Sequence, residues 1–587
     1  MSDTSATTTT TSPSRSGQDP NLQILTINDF SPGIYQYSLN AGESGGLPLT
    51  YSPNAPLGSA SNAVRCINKP GIGLIPFWRW NIMASSDIEG TVTGLGVQGP
   101  VLTYSSNQSQ YAYGDGVHIG FQGVNNFYVR RWLPDNFVSN ETPSYGLDET
   151  IYSAPTYGHS GLYPLFFTPS FGLSYSSPTT PVYTAMAVCL PYIEAVITMP
   201  GTASALYSTV SADYAYGTYT YNDRLLLFSS GFTGPYATTA AGLSSFSIGD
   251  SGFIGYTDPP LTYEVANTGG FPVYADFPVG EAYAYGAWGS MSTGELFLVK
   301  QGGGAIVVSG DIAAPSSAVY LPGVKGTGGM VQRATPTSIG LVYVTDTDGV
   351  WAWNGGNTST KISSQIPDDA CINPLLSGGY NDGASNYPNA IQAAVHHDVQ
   401  NNIVFFANNW IYDVINNSWW KSEDTSISNF AFFSRSLYYG NYMYCTIGGG
   451  GGGVPGGPLV PINLYAFNAQ SRAASWEWTS NPIPVSVGNL VTISWVELVV
   501  SNPLETVATF TVTPQSASGQ TPISVGNQSQ SLTFTVPPLA SAYRLSGRLG
   551  YTDYNIQFDI QAEGVVVAPI LHQINIGYLD SAPTGPV

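Results

Sequence analysis

"FANNWIYDVINNSWWK", Phe406 to Lys421, reads as a strand, a tight polar corner, and a second strand ending in two tryptophans. Asp413 sits where the first strand gives out. Asn and Asp favour such corners because their side chains bond their own backbone two residues on. "LYAFNAQSRAASWEW", Leu464 to Trp478, repeats the same grammar further along, and "GVWAWNGGNTSTKIS", Gly349 to Ser363, precedes both. In each, an aromatic (Trp351 and Trp353, Tyr412, or Phe467) leads into Asn354, Asp413 or Asn468. A polar turn follows, and the chain returns at Lys361-Ile362, at Trp419 and Trp420, or at Trp476 and Trp478. A unit recurring roughly every fifty-five to sixty residues, each a small sheet with a Trp wedged against its neighbour, predicts a β-propeller. Hairpins of a β-sandwich are the other reading of the same pattern.

Composition agrees with an all-β chain. Only 9% of the 587 residues are charged, while Gly (66), Pro (42) and Tyr (39) are abundant. Turn residues punctuating short runs of Val, Ile, Thr, Tyr and Phe are the usual grammar of strands. Disordered chains are poor in aromatics and rich in charge, the reverse of this composition.

Sixteen Lys and Arg against 37 Asp and Glu leave a net charge of −21. Nucleic-acid binders neutralise phosphates with a basic stripe, and none is visible. Arg130 and Arg131 are adjacent, so on a strand they face opposite ways; Arg544 and Arg548 are the other close pair. Cys66, Cys189, Cys371 and Cys445 lie far apart, which excludes a zinc ribbon and suits assembly in reducing cytosol. The opening "MSDTSATTTTTSPSRSGQDP" lacks the apolar core of a signal peptide. "TAMAVCLPYIEAVITMP" is broken by Pro191 and carries Glu194, so no membrane span is expected.

Four segments are expected: a polar flexible tail (1–21), an N-terminal extended arm (22–75), a β-propeller with inserted loops (76–480) and a C-terminal β-sandwich-like region (481–587). The glycine run Gly448–Gly457 reads as a flexible blade loop. Strands "ILTINDF" and "GIYQYSL" in the arm alternate enough to add to a neighbour's sheet edge.

Candidate chemistry is sparse. His396, His397 and Asp398 suggest a metal site, but neighbours on a strand point to opposite faces. "TDTDG", Thr345 to Gly349, opens like a calcium loop without its later ligands, so a β-turn capped by Asp346 or Asp348 is expected. A propeller glycosidase needs two carboxylates about 5–10 Å apart. Asp87 with Glu89 and Glu423 with Asp424 are available, with nothing to single out either pair. No catalytic, cofactor or metal residue is therefore assigned. Exposed Tyr and Trp stacking on sugars would make a receptor- or glycan-binding protein, the alternative function.

Several motifs resemble a known family. "INDFSPGIYQ" followed by "AVRCINKPGIGLIP" is similar to the opening of bacteriophage tail proteins of the nozzle, or tail tubular, type. "GLVYVTDTDGVWAWNGGNTSTKIS" resembles their propeller blade, and "YRLSGRLGYTDYNIQFDIQAEGVVVAPILHQINIGYL" their C-terminal segment. The resemblance implies a structural virion protein assembled in the host cytoplasm. It also implies a homo-oligomeric ring, hexameric, that meets an adaptor ring or fibres and lets genomic DNA pass during ejection without reading its sequence. No cofactor is implied.

Overall fold

A computed structural model gives side-chain detail for residues 22–36, 55–79, 285–372, 395–422, 472–515 and 531–580, save a few positions within them. Further strands are assigned, chiefly between 80 and 276. Among the described residues there is no α-helix, so the described part of the chain is all-β with several sheets. The tail 1–21 and the glycine run lie outside the described residues. The contacts divide the chain into two units. One comprises 1–79, 416–424 and 469–587; the other comprises 80–415 and 425–468.

The first unit holds both ends of the chain. Its longest strands obey period two. In Leu490–Ser501 the residues Val491, Ile493, Val496, Leu498 and Val500 are all at most 1% exposed. The spacing from Ile493 to Val496 breaks the alternation, and a bulge between Ile493 and Trp495 absorbs the extra residue. A bulge of this kind keeps the apolar set on one face on both sides of the kink. Tyr543–Asp553 and Ile570–Ser581 flank this strand antiparallel.

The same sheet takes in the start of the chain. Leu22–Ile27 pairs with Ile570–Ser581 over six residues, and the hairpin Cys66–Lys69 with Gly73–Pro76 joins the same strand at Leu571. A second sheet in this unit runs Ser418–Lys421, Ala60–Val64, Ser475–Ser480, Phe558–Glu563, Ala508–Pro514 and Leu532–Val536. The two sheets interlock: a side chain at Gly547 of the first would strike Leu532 and Phe534 of the second. The described parts of the segment expected as an arm thus make their ladder hydrogen bonds within their own chain. Phe30, Ile34 and Leu74 from that segment have no exposed surface.

Gly73 closes the hairpin onto Ile570–Ser581. Its φ is +115°, and a Cβ there would collide with the Leu571 carbonyl oxygen. Gly73→Ala is expected to cost roughly 1–3 kcal/mol, since backbone strain and a backbone clash coincide. A urea titration following tryptophan fluorescence reads the loss as a lower midpoint with an unchanged slope.

In the second unit, Ala314–Leu321, Ala305–Asp311, Glu295–Lys300 and Tyr285–Gly289 form an antiparallel meander. Thr335–Thr337, Gly340–Val344, Val350–Trp353 and Thr360–Lys361 form another. Ala287, Phe297, Val299, Ala305, Leu341, Tyr343 and Trp353 join the two meanders in one buried cluster. That is why "ELFLVK" and "GLVYV" read as nearly continuous apolar runs: both of their faces are covered. Val395–Asp398, Ile403–Phe406 and Trp410–Asp413 add a third run of antiparallel strands. Arg130 and Arg131 fall within the strand Asn126–Trp132. The described sheets include no closed ring of blades.

Candidate functional site

The aromatic corners are the features singled out by sequence, and the first is seen most completely. Val350–Trp353 ends at Asn354, whose Oδ1 accepts the Gly356 N–H at 3.1 Å, the two-residue reach expected of it. Trp353 is fully buried, packs edge-on against Phe297 at 5.0 Å, and donates its indole N–H to the Gly356 carbonyl. Trp351, two residues earlier on the same face, is half-buried against the same cluster and donates to the Asp348 carbonyl at 2.9 Å.

The turn before this strand differs from expectation. Its cap is Thr345, whose Oγ accepts the Asp348 N–H and donates to the Gly349 carbonyl. The Asp348 carboxylate does not cap it. Instead, the Asp348 carboxylate lies 2.7 Å from Lys325 Nζ and 2.9 Å from Lys361 Nζ, and Lys361 also meets Asp368 at 2.7 Å. Two lysines are a stronger attraction for a carboxylate than a backbone amide. Lys325 also lies over the Trp351 ring, 5.7 Å from its centroid.

Partial burial alone would raise the Asp348 pKa, but Lys325 and Lys361 outweigh it and hold the carboxyl below its ordinary value. For Lys361, desolvation pulls down while Asp368 and Asp348 pull up more strongly, so it stays charged. A lysine held protonated in this way has no free lone pair and is no nucleophile. The cluster fastens the corner, and its worth is modest because it is partly exposed.

The second corner behaves like the first: Asp413 Oδ1 accepts the Ile415 N–H at 2.9 Å. Tyr412 and Asp413 are buried, and Asn417 takes the left-handed conformation (φ +51°) that Asn tolerates. Trp419 and Trp420 are adjacent on their strand, yet neither has exposed surface, so that strand is covered on both faces. In the third corner, Trp476 and Trp478 share one face. Trp476 donates to the Pro569 carbonyl and meets Phe510 at 5.7 Å, while Trp478 packs edge-on against Phe30 at 5.5 Å. Phe467 and Asn468 fall in the strand Pro461–Arg472, but their side chains lie outside the described residues.

The histidine pair does not converge. His397 Nδ1 sits 2.8 Å from the Pro336 carbonyl, and Asp398 accepts from Gln400 and Asn401 in its own turn. Among the described residues, no three His, Cys, Asp or Glu side chains are grouped as a metal would need. Cys66 and Cys371 are buried free thiols, and burial pushes both pKa values well up, leaving them unreactive. Cys189, Cys445, Asp87, Glu89, Glu423 and Asp424 have side chains outside the described residues.

His397 gives a pH prediction. Burial lowers its pKa below 6.5, outweighing the Pro336 carbonyl and the Asp398 charge, and its buried Nε2 has no hydrogen-bond partner. The unfolded chain therefore binds a proton that the folded unit resists. Stability is full above the unfolded value of 6.5 and is lost as pH falls from there through the folded value. The melting temperature is expected to drop between about pH 7.5 and about pH 5. In His397→Gln that drop should shrink; an identical drop in both proteins would contradict the assignment.

Compared with known proteins, the chain matches no family model and no curated protein at a significant level.

Proposed function

We propose that this chain is a structural subunit of a bacteriophage tail, built into a hexameric ring around the channel through which DNA is ejected. In this reading residues 76–480 form a β-propeller and residues 481–587 a β-sandwich-like region. What carries the reading is the use made of the aromatic corners. Trp353, Trp419, Trp420, Trp476 and Trp478 are all buried as joints between strands and sheets. Their turns are closed by Asn354 and Asp413, and Lys325, Lys361, Asp348 and Asp368 beside Trp351 pair among themselves. That is the construction of a stiff part, and it supports a structural role over a catalytic one. The particular assembly is taken from the resemblance of the chain's motifs to those of nozzle proteins.

A conduit must hold its shape without gripping its cargo. Paired sheets with buried tryptophans resist local opening, because opening one strand exposes several. The net charge of −21 fits the second need: an acidic wall repels phosphates and lets a duplex slide. Screening confines that repulsion to about 8 Å at physiological salt, so it acts only where carboxylates line the channel. Gold-conjugated antibody against the purified chain, applied to virions carrying the gene, tests the placement. Label at the tail is expected; label on the capsid alone, or none on intact and disrupted particles, would refute it.

A further inference from the structure

We infer that the outward face of the first unit's longer-stranded sheet is a binding site for a pyranose sugar bearing a carboxylate, with Trp495 as its platform. This inference stands apart from the tail assignment. The bulge after Ile493 turns Trp495, Glu497 and Val499 away from the core. The register then sets Trp495 opposite Gly577 on one side and Arg548 on the other, with Ile24 beyond Gly577. A Cβ at Gly577 would run into the Nε1, Cε2 and Cδ1 atoms of Trp495, so the indole lies across the bare glycine backbone. Gly577 is buried beneath it, while Trp495 is only half-buried and Ile24 is 56% exposed. No aromatic ring of a described residue packs on the indole.

Beside this platform runs a fixed row of polar groups. Glu497 Oε1 accepts from Arg544 at 2.8 Å and from Asn575 Nδ2 at 2.9 Å. Asn575 Oδ1 in turn accepts from Thr26 at 2.9 Å and Gln573 at 2.7 Å. These bonds hold the side chains in one arrangement, which lowers the ordering cost of a ligand. A pyranose has an apolar face of C–H groups and a rim of hydroxyls. Its face suits a flat indole and its rim suits fixed amides and carboxylates.

Arg548 sets the class of sugar. It is exposed, stands directly across from Trp495, and has no carboxylate partner among the described residues. Arg544, the other arginine of this face, is already paired with Glu497. An open guanidinium next to an aromatic platform takes a planar carboxylate through two parallel N–H bonds. Uronate- or sialate-type residues of a surface polysaccharide have that chemistry.

The test uses the full-length chain on a printed array of bacterial polysaccharides and oligosaccharides, both acidic (uronate- or sialate-containing) and neutral. Binding to acidic spots is expected. Trp495→Ala should weaken it by roughly tenfold or more. Because Trp495 also covers Gly577, that variant can lose structure; Arg548→Gln, at an exposed position, should fold with an unchanged melting temperature and still lose acidic spots. Overturning results are no binding above a non-lectin control protein, binding to neutral sugars alone, or acidic binding that Arg548→Gln leaves intact. Full binding by a folded Trp495→Ala protein would overturn it too, reducing the indole to a cover for glycine.

Discussion

A chain that begins at residue 80 is expected to lose the fold of its C-terminal residues. Leu22–Ile27 and Gly73–Pro76 both pair with Ile570–Ser581, and Ala60–Val64 pairs with Ser475–Ser480. The deletion would strip those ladders and remove the buried side chains Ile27, Phe30, Ile34, Ile67, Leu74 and Phe77. At roughly 1.5–3 kcal/mol for each large apolar side chain, these six are comparable to the whole ~5–15 kcal/mol stability of a domain. Limited proteolysis reads the outcome: residues 475–581 should become cleavable in the truncated chain and stay protected in the full one. A detachable arm gives the opposite pattern, protected C-terminal residues in both.

Trp478→Ala is expected to lower stability by ~3–5 kcal/mol, the range for deleting a large aromatic from a packed core. Trp478 has no exposed surface and meets Phe30 edge-on, in a strand flanked by Ala60–Val64 and Phe558–Glu563. Alanine would leave a cavity that backbone paired on both sides cannot close. Val565→Ala makes the contrast within the same unit: Val565 is 71% exposed, so its loss should stay within about 0.5 kcal/mol. Chemical denaturation of the two variants separates them. Equal midpoints would mean that Trp478 is not the joint described above.

Local chemistry was the legible part of this sequence. The alternation in "LVTISWVELVVS" and the continuous run in "GLVYV" identify strands, and whether one or both faces are covered decides which pattern appears. Asn354 and Asp413 signal their turns because the bond they make is only two residues long. The Thr345 turn was misread because Lys325, twenty-three residues before Asp348, competes for that carboxylate.

Partners far apart in the chain were not legible. Gln23 bonds Tyr578 across 555 residues, and no local pattern announces such a pairing. The Trp495 face was missed for the same reason, although a Trp among outward Thr and Glu positions was a usable signal. Its meaning depended on the glycine opposite, eighty-two residues on.

The assembly itself is tested most directly by negative-stain imaging of the purified full-length chain, alone and with neighbouring tail proteins. Closed sixfold rings with a central hole wide enough for duplex DNA are the predicted result. Discrete monomers under both conditions would contradict it.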